Sequence, residues 1–274
     1  MLDVIGTQSF YSCEYEELSP VSLRKYHTSP TIDTFSNRTI FDQEPLQFAS
    51  ATTLPEMIVI WSNQKSIKEF NRVVIYACLC ELTLRERIST FTTDMDEYKE
   101  DLVPSFCLYV INKKTTGYDA LDEVLSTIVK IQKEGKSISN VMKEVEQRCA
   151  KKVIGMINSS LIRDGVMSLK TNFLGFQKFE IQDMLAQQQI ESDVRNSIMT
   201  LSEIGYKEVS PSTFAFLGLL SGQSSTIEKE TGECKAKIYS ILINMILNYE
   251  SYQKNIVMGS ILERLHHILC EFSL

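Results

Sequence analysis

Apolar residues recur three and four positions apart along most of the chain after residue 112, which is the spacing that lines one side of an α-helix. The pattern predicts a long amphipathic helix over residues 137–165. Ser137 or Ser139 can cap its start, and Gly165 suits a left-handed C-terminal cap. Further helices are predicted over residues 118–133, 180–204, 234–252 and 255–272.

Short connections predict which helices pack as hairpins, and one further helix has a clear start signal. The segments 118–133 and 137–165 are adjacent and are predicted to form an antiparallel hairpin, and the last two helices are predicted to form another. Ser210 followed by Pro211 is a helix start signal for a short segment that is apolar on nearly all sides. This segment is therefore expected to be buried.

The pattern between residues 56 and 112 is mixed. Residues 57–61 form a short apolar run that predicts a buried strand, and residues 106–111 predict a second strand that could pair with it. Helical periodicity over residues 65–89 predicts a helix between them. Residues 166–178 are interpreted as a connector in which Phe173, Phe176 and Phe179 are candidate anchors.

Residues 1–55 differ from the rest, with four of the six prolines, fourteen serines or threonines and little periodicity. They predict an irregular arm, although its aromatic residues are more than a purely solvated tail needs. The arm either buries its rings on the body or presents a docking peptide to a partner. The candidate docking residues are Phe10, Tyr11, Tyr15 and Leu18.

These patterns together predict a mainly α fold, α+β with a small β element. It is a multi-helix bundle with a C-terminal helical hairpin and an irregular N-terminal arm. The predicted organisation is an arm over residues 1–55, a small α/β subregion over 56–112 and a helical bundle over 113–274. The last two regions can form one domain, because 274 residues suffice for one large core or two smaller ones.

The charge is unevenly distributed along the chain. Formal charges are −4 for residues 1–55, −4 for 56–129, +5 for 130–170 and −4 for 171–274, within a net charge of −7. The predicted helix over 137–165 carries much of this basic segment, and its candidate anion-binding residues are Lys143, Arg148, Lys151 and Lys152. They can meet phosphates, an anionic membrane surface or an acidic partner, or they can pair with carboxylates elsewhere in the chain.

Composition indicates the kind of cellular compartment in which the protein is expected. The hydrophobic fraction of 43% and the charged fraction of 23% are typical of a globular protein. No apolar run reaches the ~18–20 residues that span a bilayer, and the N-terminus lacks a signal-peptide pattern. Seven scattered cysteines favour reduced thiols. The sequence therefore predicts an intracellular protein, cytoplasmic or nuclear.

Residue patterns for catalysis or metal binding are weak. There are three histidines, and His266 and His267 are adjacent on a predicted helix, where one is expected to pack and the other to see solvent. Cys78 and Cys80 are one residue too close for a redox or zinc pair, and the acidic run at 94–101 lacks the glycine and glutamate of a calcium loop. No catalytic residue, metal ligand or cofactor is predicted.

The sequence favours a non-enzymatic interaction protein of the adaptor, scaffold or viral structural or accessory type. It would bind protein partners, or itself, through apolar helix faces and the arm. The alternative is a nucleic-acid or phosphate-binding protein, such as a viral nucleocapsid or polymerase accessory protein, that uses the basic helix over 137–165. An enzyme of a type without a recognised motif is a third possibility.

Overall fold

A computed structural model describes residues 52–63, 67, 69–92, 106–131, 137–171, 177–203, 210–223, 227, 235–249 and 256–273. These residues contain eight α-helices and two antiparallel sheets of two strands each, which confirms the predicted mainly α fold with a small β element. The elements are α1 Leu54–Ser62, α2 Phe70–Leu84, β1 Ile88–Thr92, β2 Phe106–Val110, α3 Asp119–Ile131, α4 Ile138–Arg163, β3 Met167–Thr171, β4 Gln177–Ile181, α5 Met184–Glu203, α6 Pro211–Leu219, α7 Lys235–Leu247 and α8 Ile256–Ser273.

The segment 57–61 is helical, so the predicted strand there is wrong. It lies within α1, which begins with a capping box in which the Thr53 hydroxyl accepts from the Glu56 N–H and the Glu56 carboxylate accepts from the Thr53 N–H. Pro55 occupies the first turn, where its missing N–H costs nothing. A five-residue apolar run does not distinguish a buried strand from a buried helix, and these N-terminal signals favour the helix.

The strand predicted at 106–111 is confirmed as β2, but its partner is β1. The two strands are antiparallel, with Ile88 opposite Val110 and Thr92 opposite Phe106. Residues 88 and 89 had been assigned to the end of the predicted helix over 65–89. That helix, α2, ends at Leu84, and the chain turns through Glu86, which has a positive φ of 53°.

The connector predicted over 166–178 contains a second sheet. β3 and β4 pair with Met167 opposite Ile181 and Thr171 opposite Gln177. Phe179, one of the predicted anchors, lies in β4 and packs half-buried against the core. The other two anchors, at 173 and 176, lie outside the described residues. The helix predicted over 180–204 begins at Met184 because residues 180 and 181 complete β4.

The core surrounds α2, whose residues from Val73 to Thr83 are all buried. Helices α1, α3, α4, α6 and α8 pack against it. The hairpin predicted for α3 and α4 is confirmed by two contacts whose order along the two helices is opposite. Glu123 of α3 pairs with Lys152 of α4. Thr127, one turn further along α3, hydrogen-bonds Cys149, which comes before Lys152 on α4. One core cluster therefore takes residues from both predicted regions, 56–112 and 113–274.

Helix α6 begins as predicted, with the Ser210 hydroxyl accepting from the Thr213 N–H and Pro211 in the first turn. It is buried on nearly all sides and packs against α7 and α8. At Gly218 a Cβ would lie 2.5 Å from Leu269 Cδ1, so glycine is what permits this close approach of α6 to α8.

Gly218→Ala and Gly155→Ala are expected to change stability in opposite directions. At Gly155, in α4, a Cβ would meet no atom of the described residues within 4 Å, so alanine should raise the free energy of unfolding by about 0.5–1 kcal/mol through helix propensity alone. At Gly218 the clash with Leu269 should outweigh that gain and lower the free energy of unfolding by about 1–2 kcal/mol. Urea denaturation measures both. A stabilised Gly218→Ala protein would show that α6 and α8 are further apart than described.

Candidate functional site

The solvent side of α4 carries a row of exposed residues spaced four apart. We call this row the α4 ridge and define it as Lys143, Gln147, Lys151, Gly155, Ser159 and Arg163. It arises because the apolar positions of α4, among them Val141, Val145 and Val153, are buried against the core and turn the opposite side of the helix outward. The helix has the predicted ends, with Ser137 as N-cap and Gly165 at a positive φ of 74° just after its C-cap.

The four basic residues predicted from the sequence do not share one environment. Arg148 pairs with Glu144 within α4 at 3.3 Å, and Lys152 pairs with Glu123 of α3 at 2.7 Å. Lys143 and Lys151 are exposed, and neither has an ion pair within the part of the chain that is described. Arg148 and Lys152 thus form ion pairs within the chain. Anion binding by the exposed side of α4 remains a prediction.

The centre of the α4 ridge is flat. Gly155 has no side chain, and the Ser159 hydroxyl is turned back to donate to the Gly155 carbonyl at 2.8 Å. At the end of the ridge, Arg163 Nε lies 3.4 Å from the carboxylate of its neighbour Asp164, a contact typical of a weak surface pair. The ridge therefore has a cationic side chain at each end, Lys151 near its midpoint, and low relief at Gly155 and Ser159.

The arm-docking residues predicted from the sequence, Phe10, Tyr11, Tyr15 and Leu18, lie outside the described residues, as does the acidic run at 94–101. Arm docking remains a prediction.

Sequence analysis missed a cluster of buried polar groups that joins α1, α2 and α3. We call it the carboxylate cluster and define it as Thr53, Glu56, Glu81, Arg85 and Tyr118. Glu56 and Glu81 are only 1% and 2% exposed. The Thr53-x-x-Glu56 pattern was a signal in the sequence, and so was a glutamate within an otherwise apolar α2.

The two carboxylates are satisfied by different donors. Glu81 accepts from the Leu54 N–H at 3.1 Å and from Arg85 Nε at 2.7 Å, so its partners include a cation. Glu56 accepts from the Thr53 N–H at 2.9 Å and from the Tyr118 hydroxyl at 2.8 and 2.9 Å, and these donors are neutral. Burial raises the pKa of Glu56, and hydrogen bonds from Thr53, Tyr118 and Ser160 oppose the rise.

Glu56→Gln is expected to change how stability depends on pH. Because the pKa of Glu56 is raised on folding, the stability it contributes is present at low pH and is lost as pH rises through the folded-state pKa. Glutamine retains a capping-box acceptor but does not titrate. The stability advantage of the wild type over the variant should therefore be larger near about pH 4.5 than near about pH 7. Urea denaturation at both values measures it, and an advantage that grew with pH would contradict the assignment.

The two adjacent histidines lie between α8 and its neighbours. His267 packs as predicted: it is 6% exposed, its ring stacks on Phe106 at 4.4 Å, and its Nδ1 lies 2.9 Å from the Thr90 hydroxyl. Burial, with a smaller effect from His266, lowers its pKa to about 4. His266 is half-buried, with Nδ1 donating to the Ile246 carbonyl at 2.8 Å and its ring stacked on Tyr249.

Cys270 and His266 are close but do not form a nucleophile and base. The sulfur lies 3.6 Å from Nδ1 and 3.5 Å from Nε2, and an atom equally far from both nitrogens lies along the lone pair of neither. Burial, and secondarily Glu271, raises the pKa of the thiol to about 11, which opposes formation of a thiolate. This pair packs α8 and does not provide the geometry of covalent catalysis.

Other concave or ligating features are sparse within the described segments. They contain no group of three or more histidine, cysteine or acidic residues placed to hold a metal ion. An open depression of about 470 Å³ is lined by Glu69, Phe70, Asn71, Arg72 and Glu146. Its arginine is already engaged, because it pairs with Glu69 at 3.1 Å and lies over the rings of Tyr76 and Phe272.

Large apolar side chains are exposed on the sheet of β1 and β2. We call this surface the ribbon patch and define it as Phe91, Tyr109 and Ile111. Phe91 is 41% and Tyr109 42% exposed, and their ring centroids lie 5.8 Å apart. Because β1 was not predicted, no sequence pattern indicated that these side chains meet. Further exposed apolar residues are Met184, Leu185, Tyr239 and Leu247.

None of the helices that the structure describes is both long and apolar enough to cross a membrane. Comparison with known proteins found no matching family model and no matching curated protein.

Proposed function

We propose that this protein is a non-enzymatic, intracellular interaction protein of the adaptor, scaffold or viral structural or accessory type. The observation that carries the proposal is the ribbon patch, where the partly exposed rings of Phe91 and Tyr109 lie beside each other and Ile111, two residues after Tyr109, is also exposed. Aromatic residues are enriched in protein interfaces because they bury a large area with few rotatable bonds. A partner or a second copy of the chain would cover this surface, with the N-terminal arm as a further docking element.

The character of the buried polar groups also supports a non-enzymatic role. Glu56, Glu81 and His267 are held by neighbouring elements of the fold, and none of them lines the open depression at Glu69 and Arg72. Catalysis needs a base or nucleophile in reach of a substrate. These groups instead join helices to each other and to β1.

The proposal is tested by replacing Phe91 and Tyr109 with threonine, which suits a strand but removes the exposed rings. Tagged wild-type and variant proteins are used to capture partners from nuclease-treated lysate, and sedimentation equilibrium measures self-association. The wild type should retain defined partners or self-associate, and the variant should lose that association. Lys113→Ala with Lys114→Ala, in the exposed loop after β2, serves as the control and should behave as wild type. A wild-type protein that is monomeric at every accessible concentration and retains nothing would refute the proposal.

A second candidate function is nucleic-acid or phosphate binding by α4. The observation in its favour is the pair of exposed lysines, Lys143 and Lys151, that have no ion pair among the described residues. Binding of this kind releases counterions, so affinity should fall steeply with added salt. Lys143→Glu with Lys151→Glu should abolish it. Unchanged affinity in that variant, or affinity independent of salt, would exclude this candidate.

A further inference from the structure

We propose that the α4 ridge is the docking surface for an acidic α-helix of a partner protein. This inference rests on the proposed interaction function and names a second surface for it, separate from the ribbon patch. The ridge residues follow the row of positions four apart along which two helices interdigitate when they pack. From Lys143 to Arg163 the row is about 30 Å long at 1.5 Å per residue, enough for five turns of a partner helix.

The charge of the ridge specifies an anionic partner. The row contains no carboxylate, and Lys143 and Lys151 have no ion pair among the described residues. The neighbouring row on the same helix contains Arg148 and Lys152, which form ion pairs with Glu144 and Glu123, respectively. The cations open to a partner are therefore arranged along one line.

Gly155 supplies an independent indication that another backbone approaches. Glycine is among the weakest helix formers, yet it stands within a 26-residue helix, exposed, where a Cβ would meet no atom within 4 Å in the part of the chain that the structure describes. The described fold therefore gives no steric reason for glycine at this position, in contrast to Gly218. A partner helix that crosses at Gly155, with the Ser159 hydroxyl folded back beside it, would explain the missing side chain.

The same geometry fits a helix better than a nucleic acid. A phosphate backbone is a continuous line of charge, whereas the two lysines of the ridge lie before Gly155, and the only cation after Gly155 is Arg163, which lies beside the Asp164 carboxylate. No aromatic residue stands in the row to stack a base, and the carboxylate of Glu144 flanks it. A helix with glutamates opposite the ridge cations and a small residue opposite Gly155 would match this arrangement.

The test uses two synthetic peptides that are stapled on one side so that both are helical. One places glutamates in a single row with alanine at the centre, and its isomer of the same composition distributes the glutamates around the helix. Fluorescence anisotropy with the full chain measures affinity, and single-stranded DNA and RNA of equal charge are measured alongside. The single-row peptide should bind roughly tenfold tighter than its isomer and tighter than either nucleic acid.

Two ridge variants and one control complete the design. Gly155→Gln adds bulk without charge and should weaken peptide binding by roughly tenfold while raising the melting temperature by about 2–4 °C, so a loss of binding cannot be attributed to unfolding. Lys143→Gln with Lys151→Gln should weaken peptide binding to a similar extent. Lys130→Gln, an equal change of charge per residue on the exposed side of α3, should leave it unchanged.

Equal binding of the isomer, full binding by Gly155→Gln, or no binding of either peptide would overturn the inference. Tighter binding of DNA or RNA would overturn it in favour of the second candidate function. The ribbon-patch variants test the proposed function separately, so the ridge can fail while partner capture through the patch persists. Loss of both would refute the interaction proposal itself.

Discussion

Glu81→Ala is expected to lower the free energy of unfolding by about 3 kcal/mol. The carboxylate is almost fully buried, and its removal leaves Arg85 without its counter-charge and the Leu54 N–H without an acceptor. Breaking one side of such a pair costs far more than the pair contributes, because the Leu54 N–H and the buried part of the Arg85 side chain, which is 26% exposed, have already lost their water. Urea denaturation of the purified variant measures the loss.

Glu144→Ala is the matched control for this prediction. Glu144 and Arg148 are also a glutamate and an arginine four residues apart on a helix, but this pair lies on the surface of α4. Its loss should cost about 0.3–0.5 kcal/mol, since water solvates both groups once they separate. Equal losses in the two variants would show that the carboxylate cluster is more hydrated than the described geometry allows.

Acidification is expected to destabilise the protein through His267, by up to about 3 kcal/mol. In the unfolded chain a histidine binds a proton near its ordinary pKa of 6.5, whereas in the folded protein burial lowers the pKa of His267 to about 4. The unfolded state therefore binds more protons between these values. Stability that is complete above about pH 6.5 is lost progressively as pH falls toward about 4.

The variant His267→Asn isolates this effect. Asparagine can retain a polar contact with the Thr90 hydroxyl but does not titrate, so the difference in unfolding free energy between wild type and variant should shrink as pH falls. Glu56 and Glu271, whose pKa values are raised by burial, act in the opposite direction in both proteins and cancel in that difference. A difference that stays constant from about pH 7 to about pH 4.5 would contradict the burial of a neutral His267.

Helices with a polar side or a clear start signal were predicted well. Helix α4 was identified from its periodicity and caps, and Ser210 with Pro211 identified the start of α6. In both cases the information is local, because the spacing of apolar residues and the satisfaction of terminal N–H groups depend on residues within a few positions.

A short buried helix and three strands were misassigned or missed. The run 57–61 lies in a helix buried on nearly all sides, so periodicity gave no signal and its strand assignment was wrong. The first two residues of strand β1, 88 and 89, were assigned to the end of a helix, because the strand is defined by pairing with β2, fourteen residues further along the chain. Strands β3 and β4 escaped notice for the same reason, since each is stabilised chiefly by its partner.

The candidate sites, like the secondary structure, could be predicted only where the information is local. The basic residues of α4 could be identified from the sequence, but the sequence did not indicate that Arg148 and Lys152 are engaged while Lys143 and Lys151 face solvent without an ion pair in the described part of the chain. The ribbon patch and the carboxylate cluster join residues from 18 to 62 positions apart, including Phe91 with Tyr109 and Glu56 with Tyr118. No local pattern brings such residues together.

By itself, the sequence determined the helical class, the caps of α4 and α6, and the concentration of positive charge in one segment. Each follows from propensities and charges that act over a few residues. The tertiary structure decided the strand pairing, the burial of Glu56, Glu81 and His267, and which cations remain open on α4. These depend on desolvation and on contacts between distant segments, which exist only once the helices have packed.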